Sequence, residues 1–204
     1  MRVAIVTFDG FNELDSFVAL GLINRLRPLG VQAEITSPSA QVTSMNGVTI
    51  TAQQPLEFVL DADAVLFGSG IYTRAIAENG PLMNRIQLDP TRQLIGAQCS
   101  GTLLLARLGL LGDMPACTDL TTKPWVVEAG VRVADIPFFA RGPVATAGGC
   151  MSSAYLATWV MWRAAGREAA RNALHYVAPV GEKDAWVDHA LKVVGESLGE
   201  SAAP

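Results

Sequence analysis

The chain has 204 residues, half of them hydrophobic and only 17% charged, a balance that excludes a disordered chain and favours one large domain. Its net charge is −4 and its 15 basic residues are scattered, so neither nucleic acid nor a membrane surface is an expected partner. Three cysteines, Cys99, Cys117 and Cys150, stand at irregular spacing, which is no disulfide framework and no zinc pattern and makes a reducing cytoplasm the expected setting.

Residues 3–8 form a continuous apolar run, as in a strand buried on both faces. Asp9 ends that run too early for the apolar core of a secretion signal. From Asp15 or Ser16 to about Leu29, Phe17, Leu20, Ile23 and Leu26 recur at helical spacing, and Pro28-Leu29-Gly30 closes the helix. Residues 31–37 read as a second strand. Residues 42–45 and 48–51 flank Asn46-Gly47, a two-residue hairpin signal. Residues 64–67 are a third buried strand, followed by Gly68-Ser69-Gly70 and a weak helix. Residues 94–98 are a fourth strand that turns at Cys99 into an apolar helix over 100–108. A short strand is expected at 116–118, a helix at 123–129, and strand-like pieces near Val131 and Val144. Two helices follow Gly148-Gly149 and a third spans about 184–198, while residues 200–204 are expected to fray. Between Arg141 and Arg163 about 21 residues carry no charge, close to a membrane span in length. Pro143, Gly148, Gly149, Ser152 and Ser153 divide them into strand, turn and helix, so they read as buried core. Strands alternating with helices predict an α/β fold with a mostly parallel sheet and helices on both faces.

Parallel sheets place their sites at the carboxyl ends of the strands. Ala97-Gln98-Cys99-Ser100-Gly101 has the makings of a nucleophile elbow: a tight strand-to-helix turn with small neighbours and a side chain pushed into the cleft. A helix N-terminus there would lower the Cys99 pKa, and the Ser100 N–H can face an oxyanion. The bland reading of Cys99 is a small buried hydrophobe. Gly70 can supply a second oxyanion donor, although a strand-ending glycine is usually just a turn, and no dinucleotide fingerprint stands there. Glu13 and Asp15 follow the first strand. Either carboxyl, desolvated beside Cys99, would have a raised pKa and could act as general acid. Asp15 can equally cap the helix it precedes, and Glu13 can be a solvated loop charge.

These segments resemble the DJ-1/PfpI superfamily, which is related to class I glutamine amidotransferase domains. The resemblance runs from Val3 to about Pro179 and rests on the Phe8 to Leu14-Asp15 pattern, Gly68-Ser69-Gly70, the Cys99 elbow and Thr146-Ala147-Gly148-Gly149. The Leu14-Asp15 pair and His175-Tyr176-Val177-Ala178-Pro179 look most like the isocyanide (isonitrile) hydratase branch. The resemblance implies a flavodoxin-like three-layer sandwich over residues 1–199, a Cys99 nucleophile, Asp15 as proton donor and acceptor, and oxyanion contacts from Gly70 and Ser100. It also implies a small electrophilic substrate, no metal, no organic cofactor and a homodimer. The implied reaction adds water to an isocyanide through a Cys99 thioimidate and releases an N-substituted formamide. Ile71 and Trp125 are expected near an apolar pocket. The chain departs from the family in three places. Gly68-Ser69-Gly70 replaces a Pro-Gly-Gly, Asp119 stands where many members carry a histidine, and Cys150 stands where the hydratase is apolar. Without that histidine a Cys–His dyad is not expected, and His175 and His189 read as surface or core residues. Asp119 in the pocket would oppose thiolate formation. Cys150 is either packing or a resolving thiol, and the second functional reading is a redox-responsive protein that senses oxidants through Cys99.

Overall fold

A computed structural model of the protein describes residues 1–199; the expected frayed end, 200–204, lies outside the described residues. Seven strands form the central sheet. They are β1 (Arg2–Val6), β2 (Gln32–Ser37), β5 (Gln54–Pro55), β6 (Ala64–Phe67), β7 (Leu94–Gln98), β8 (Phe138–Arg141) and β9 (Val144–Ala147). Their order across the sheet is β5-β2-β1-β6-β7-β9-β8, and every neighbouring pair is parallel except the terminal β8–β9 hairpin. The remaining strands, β3 (Gln41–Thr43) and β4 (Thr49–Thr51), make a separate antiparallel pair.

Side-chain alternation divides the core into two layers. Val3 and Ile5 of β1, Ala33 and Ile35 of β2, and Ala64 and Leu66 of β6 face one way. There they meet α1 (Glu13–Ile23), α6 (Ser153–Ala165), α7 (Arg167–Val177) and α8 (Lys183–Leu198). Ala4, Val6, Val65, Phe67, Ile95 and Ala97 face the other way. They pack on the 3-10 turn Leu56–Leu60 and on α2 (Thr73–Glu78), α3 (Gly80–Met83), α4 (Gly101–Arg107) and α5 (Lys123–Glu128). The fold is therefore the expected three-layer α/β sandwich. A parallel sheet covered on both faces needs strands that are apolar at every position, which is why β1, β6 and β7 carry uninterrupted apolar runs.

The uncharged stretch after Arg141 becomes β9, a 3-10 turn at Cys150–Ser152, and α6. Helix α6 is buried almost all round because it lies between the sheet and the other helices of its layer. No helix among the described residues is long and apolar enough to cross a membrane.

Several expected boundaries shift. The first helix begins at Glu13, because the Asn12 side chain accepts from the Leu14 N–H at 3.0 Å and caps it. It stays α-helical only to Ile23. Asn24 bonds both the N–H and the C=O of Ala33 (2.9 and 3.0 Å), and the chain tightens into a 3-10 turn, Asn24–Leu29, that contains Pro28. The hairpin is wider than a two-residue turn, because the Ser44 hydroxyl accepts from Val48 N at 2.9 Å and rounds the loop. The strand expected at 116–118 is a single bridge, Ala116 to Val133, since the Cys117 N–H goes to the Thr146 hydroxyl instead (2.8 Å). Likewise no strand forms at Val131. Strand β8 was not anticipated; it folds back on β9 across Gly142-Pro143.

Trp159 of α6 is fully buried, and its indole N–H has no acceptor among the described residues. Its contribution is therefore apolar packing alone. Trp159→Ala is expected to cost about 3–5 kcal/mol in urea unfolding, whereas Trp159→Phe, which also removes the unpaired N–H, should cost less than half as much.

Candidate functional site

At the carboxyl edge of the sheet, β1 sits between β2 and β6, so the connections leaving it diverge and open a crevice. Strand β7 ends there in Gln98, and the next residue, Cys99, has φ +48°, the only non-glycine positive φ among the described residues. A left-handed conformation costs a side-chain-bearing residue about 1–2 kcal/mol. The surroundings hold it. The Cys99 N–H donates to Ala147 C=O at 2.8 Å, and the Thr118 hydroxyl donates to Cys99 C=O at 2.8 Å. Gly101 lets the first turn of α4 lie on the end of β6: a Cβ there would stand 2.7 Å from Gly68 O and 2.8 Å from Phe67 O. The expected elbow is present.

Asp15, in the first turn of α1, is 2% exposed, and its C=O accepts the Ser153 hydroxyl at 2.8 Å, which ties α1 to α6. One Asp15 carboxylate oxygen, the Cys99 sulfur and the Cys150 sulfur all lie within 4.8 Å of one another. No donor among the described residues is in hydrogen-bonding geometry on either Asp15 oxygen. Burial pushes the Asp15 pKa up to about 6. The charge of Asp119 adds to the rise, while Ser69 and the two thiols, which face the carboxyl, hold it back.

Burial also pushes the Cys99 thiol up, reinforced by the negative charges of Asp15, Cys150 and Asp119, and the Gln98 amide 3.5 Å from its sulfur only partly opposes this. The expected lowering by a helix N-terminus is outweighed; α4 is only seven residues long and faces a desolvated carboxyl. The resting pair is a thiol beside a carboxylate that can take its proton. Cys150 is half-buried, and its thiol is raised by burial and by Asp15, while the Asn12 amide donates to its sulfur at 3.2 Å.

The other expected residues divide. Glu13 belongs to the hairpin: Ser44 and Asn46 donate to its carboxylate and lower its pKa. Asp15 is thus the carboxyl that stands beside Cys99. The Gly70 N–H donates to the Ser100 hydroxyl at 3.2 Å, and that hydroxyl also meets Thr73 at 2.8 Å, so Gly70 is already engaged. Gly70 is nonetheless required, because a Cβ would lie 2.7 Å from Gly10 O. The backbone N–H of Ser100 has no acceptor among the described residues. Asp119 lines an open cleft with Thr118, Leu120, Ile136 and Gly148. Its carboxylate accepts from the Thr121 and Thr122 N–H groups at 2.9 Å, so it reaches the site by charge and not by contact. Ile71 is 57% exposed at the rim. Trp125, on α5, packs on the core layer that also holds α4, with the Arg74 guanidinium 5.4 Å from its ring. His175 and His189 lie on α7 and α8, outside the cluster.

Two residues were not anticipated. Gln98, buried at the end of an apolar strand, bridges Cys99 Sγ and Gly149 C=O (2.7 Å). A lone amide in a strand buried on both faces was the available signal. Asn12, which caps α1 and donates to the Cys150 sulfur, was not read from the sequence in either role. The cluster offers two sulfurs and one carboxylate, a donor set suited to a sulfur-seeking cation and equally to proton-coupled thiol chemistry.

Asp15 also affects stability. Its folded pKa is raised from 3.8 to about 6. The folded state therefore binds more protons than the unfolded chain between those values, and stability falls as pH rises through that window. At neutral pH the ionised carboxyl costs about 3 kcal/mol. Asp15→Asn is expected to be more stable than the parent near pH 7, by about 1–3 kcal/mol after the burial cost of the amide. The gain should shrink toward zero below about pH 4, and urea unfolding at both pH values checks this.

A family model described as the DJ-1/PfpI family matches residues 1–161. Among curated protein sequences, none matches this one significantly. Solved structures do match. Schizosaccharomyces pombe DJ-1 is 14% identical with a TM-score of 0.75, over 88% of this chain and 100% of that one. A THiJ/PfpI family protein from Pseudomonas syringae is 17% identical with a TM-score of 0.76, over 95% and 90%. Drosophila melanogaster DJ-1beta is 19% identical with a TM-score of 0.75, over 86% and 96%. At these identities the structures share the fold, and the match over residues 1–161 carries the assignment: the chain belongs to the DJ-1/PfpI family.

Proposed function

We propose that this protein is a cysteine-dependent hydratase of the isocyanide hydratase type. The observation that supports this reading most is the unpartnered, buried Asp15 carboxyl, with a pKa near 6, beside the Cys99 sulfur. Asp15 takes the thiol proton as the Cys99 sulfur attacks the terminal carbon of R–N≡C. It returns that proton to the same carbon, leaving the thioimidate Cys99–S–CH=N–R. Water then adds across the C=N bond, with Asp15 relaying its proton toward nitrogen. The C–S bond breaks, the thiol is restored, and R–NH–CHO leaves. One proton cycles through the pair, and isocyanide plus water account for all atoms. In this reading the Ser100 N–H, which has no backbone acceptor among the described residues, stabilises charge beside the elbow.

The cluster holds two thiols and one carboxyl as proton carrier, and among the described residues no histidine joins it to protonate a departing amine. That favours addition to a small, uncharged, electrophilic carbon over peptide hydrolysis.

The test is turnover of an aryl isocyanide followed by ultraviolet absorbance. Cys99→Ala should abolish it, and Asp15→Asn should slow it by about 100-fold or more. Because the reactive pair carries one proton, kcat/KM should rise with pH through about 6, as Asp15 loses its proton, and then level off. Absence of turnover by a folded parent chain whose Cys99 still alkylates would overturn the substrate assignment.

A further inference from the structure

The second sulfur of the cluster is not used by that reaction. Cys150 opens the 3-10 turn after Gly149 and is the more exposed of the two thiols, whereas Cys99 is 2% exposed. Its neighbour Met151 is 68% exposed, so the turn faces solvent. The two sulfurs lie within 4.8 Å, and the Gln98 amide, in reach of Cys99 and bonded to Gly149 C=O, ties the two backbones together. A disulfide needs the sulfurs about 2 Å apart, so its formation draws the two sulfurs together from within 4.8 Å. Burial and Asp15 raise the Cys150 thiol, and the Asn12 amide, which donates to its sulfur, partly opposes that rise. Asp15, buried and without a donor, lies within the same 4.8 Å and can accept a thiol proton. Cys117 is outside the cluster, with its N–H bound to Thr146 and its C=O to Thr102.

We propose that Cys150 is an oxidant-facing thiol that forms a reversible disulfide with Cys99 and so closes the site. Cys150 gives its thiol proton to Asp15 as its sulfur attacks a hydroperoxide; the O–O bond breaks, the departing oxygen takes that proton and leaves as an alcohol (or water), and Cys150 becomes a sulfenic acid. Cys99 then gives its proton to Asp15 and attacks the Cys150 sulfur. The S–O bond breaks, and the hydroxide leaves as water with the proton from Asp15. Overall, two thiols and one hydroperoxide give a disulfide, an alcohol and water; the thiols lose two electrons and the peroxide gains them. A small external dithiol reverses the reaction by exchange. The closed form shields Cys99 from further oxidation. This assignment is independent of the isocyanide reading, since it needs no substrate.

The experiment treats the full chain with one equivalent of hydrogen peroxide and maps its peptides without reduction. The expected product lacks two hydrogens and links the peptides of Cys99 and Cys150, and dithiothreitol restores both thiols. In Cys99→Ala, a 1,3-dione probe should trap the sulfenic acid on Cys150. Cys117→Ala should form the same link as the parent. Oxygen added to Cys99 while Cys150 stays free, a link involving Cys117, or two alkylatable thiols after treatment would each overturn the proposal. Because the readout is mass, an inactive hydratase does not affect it.

Discussion

At Cys99 the backbone turns through φ +48°, and three separate parts of the chain hold it there. Ala147 at the end of β9 accepts its N–H, Thr118 donates to its C=O, and Gly101 lets α4 close down on β6. Ala147, Thr118 and the β6 end that Gly101 approaches are all distant in sequence, so the strained turn depends on β6, β7 and β9 being in register. The penalty of about 1–2 kcal/mol is small beside the packing of a sheet buried on both faces. That disparity is what allows the fold to hold a nucleophile in a conformation it would not adopt alone.

Within the crevice, burial dominates the charges. It raises Asp15 and both thiols in the same direction, because each group would be an anion in a poorly solvated space. The three cannot all ionise together, so the cluster holds its protons and passes them within itself. The carboxyl is the easiest of the three to ionise and is the natural base. Asp119 adds to this from outside; its carboxylate is fixed by two backbone amides at the start of α5 and acts only through its field. Its charge adds to the burial that keeps the Cys99 sulfur protonated at rest.

Much of this was legible in the residues. Uninterrupted apolar runs at β1, β6 and β7 marked strands covered on both faces, and Cys99 between small neighbours marked the elbow. Glu13 and Asp15 both stood out as carboxyls at the edge where sites form. What escaped reading depended on distant partners. The strand expected at 116–118 is reduced to a bridge because the Thr146 hydroxyl captures the Cys117 N–H. The direction of the Cys99 pKa could not be read from a helix N-terminus alone, because it depends on how far Asp15 is buried and how near it lies. Glu13 and Asp15, two residues apart, were equivalent in sequence; the hairpin claimed one and the crevice the other.

Asn12 joins two events that would otherwise be separate. Its oxygen caps α1 at Leu14, and its amide nitrogen holds the Cys150 sulfur. Asp15 rides on the turn that this cap secures. Fraying of that turn would release Cys150 and wet Asp15 at the same time, and water would return the carboxyl toward its ordinary acidity. Ionisation of Asp15 therefore favours the opened turn, and the opened turn favours ionisation. The proton on Asp15 acts as a latch on the helix that carries it, so amide exchange at the start of α1 should quicken as that proton leaves.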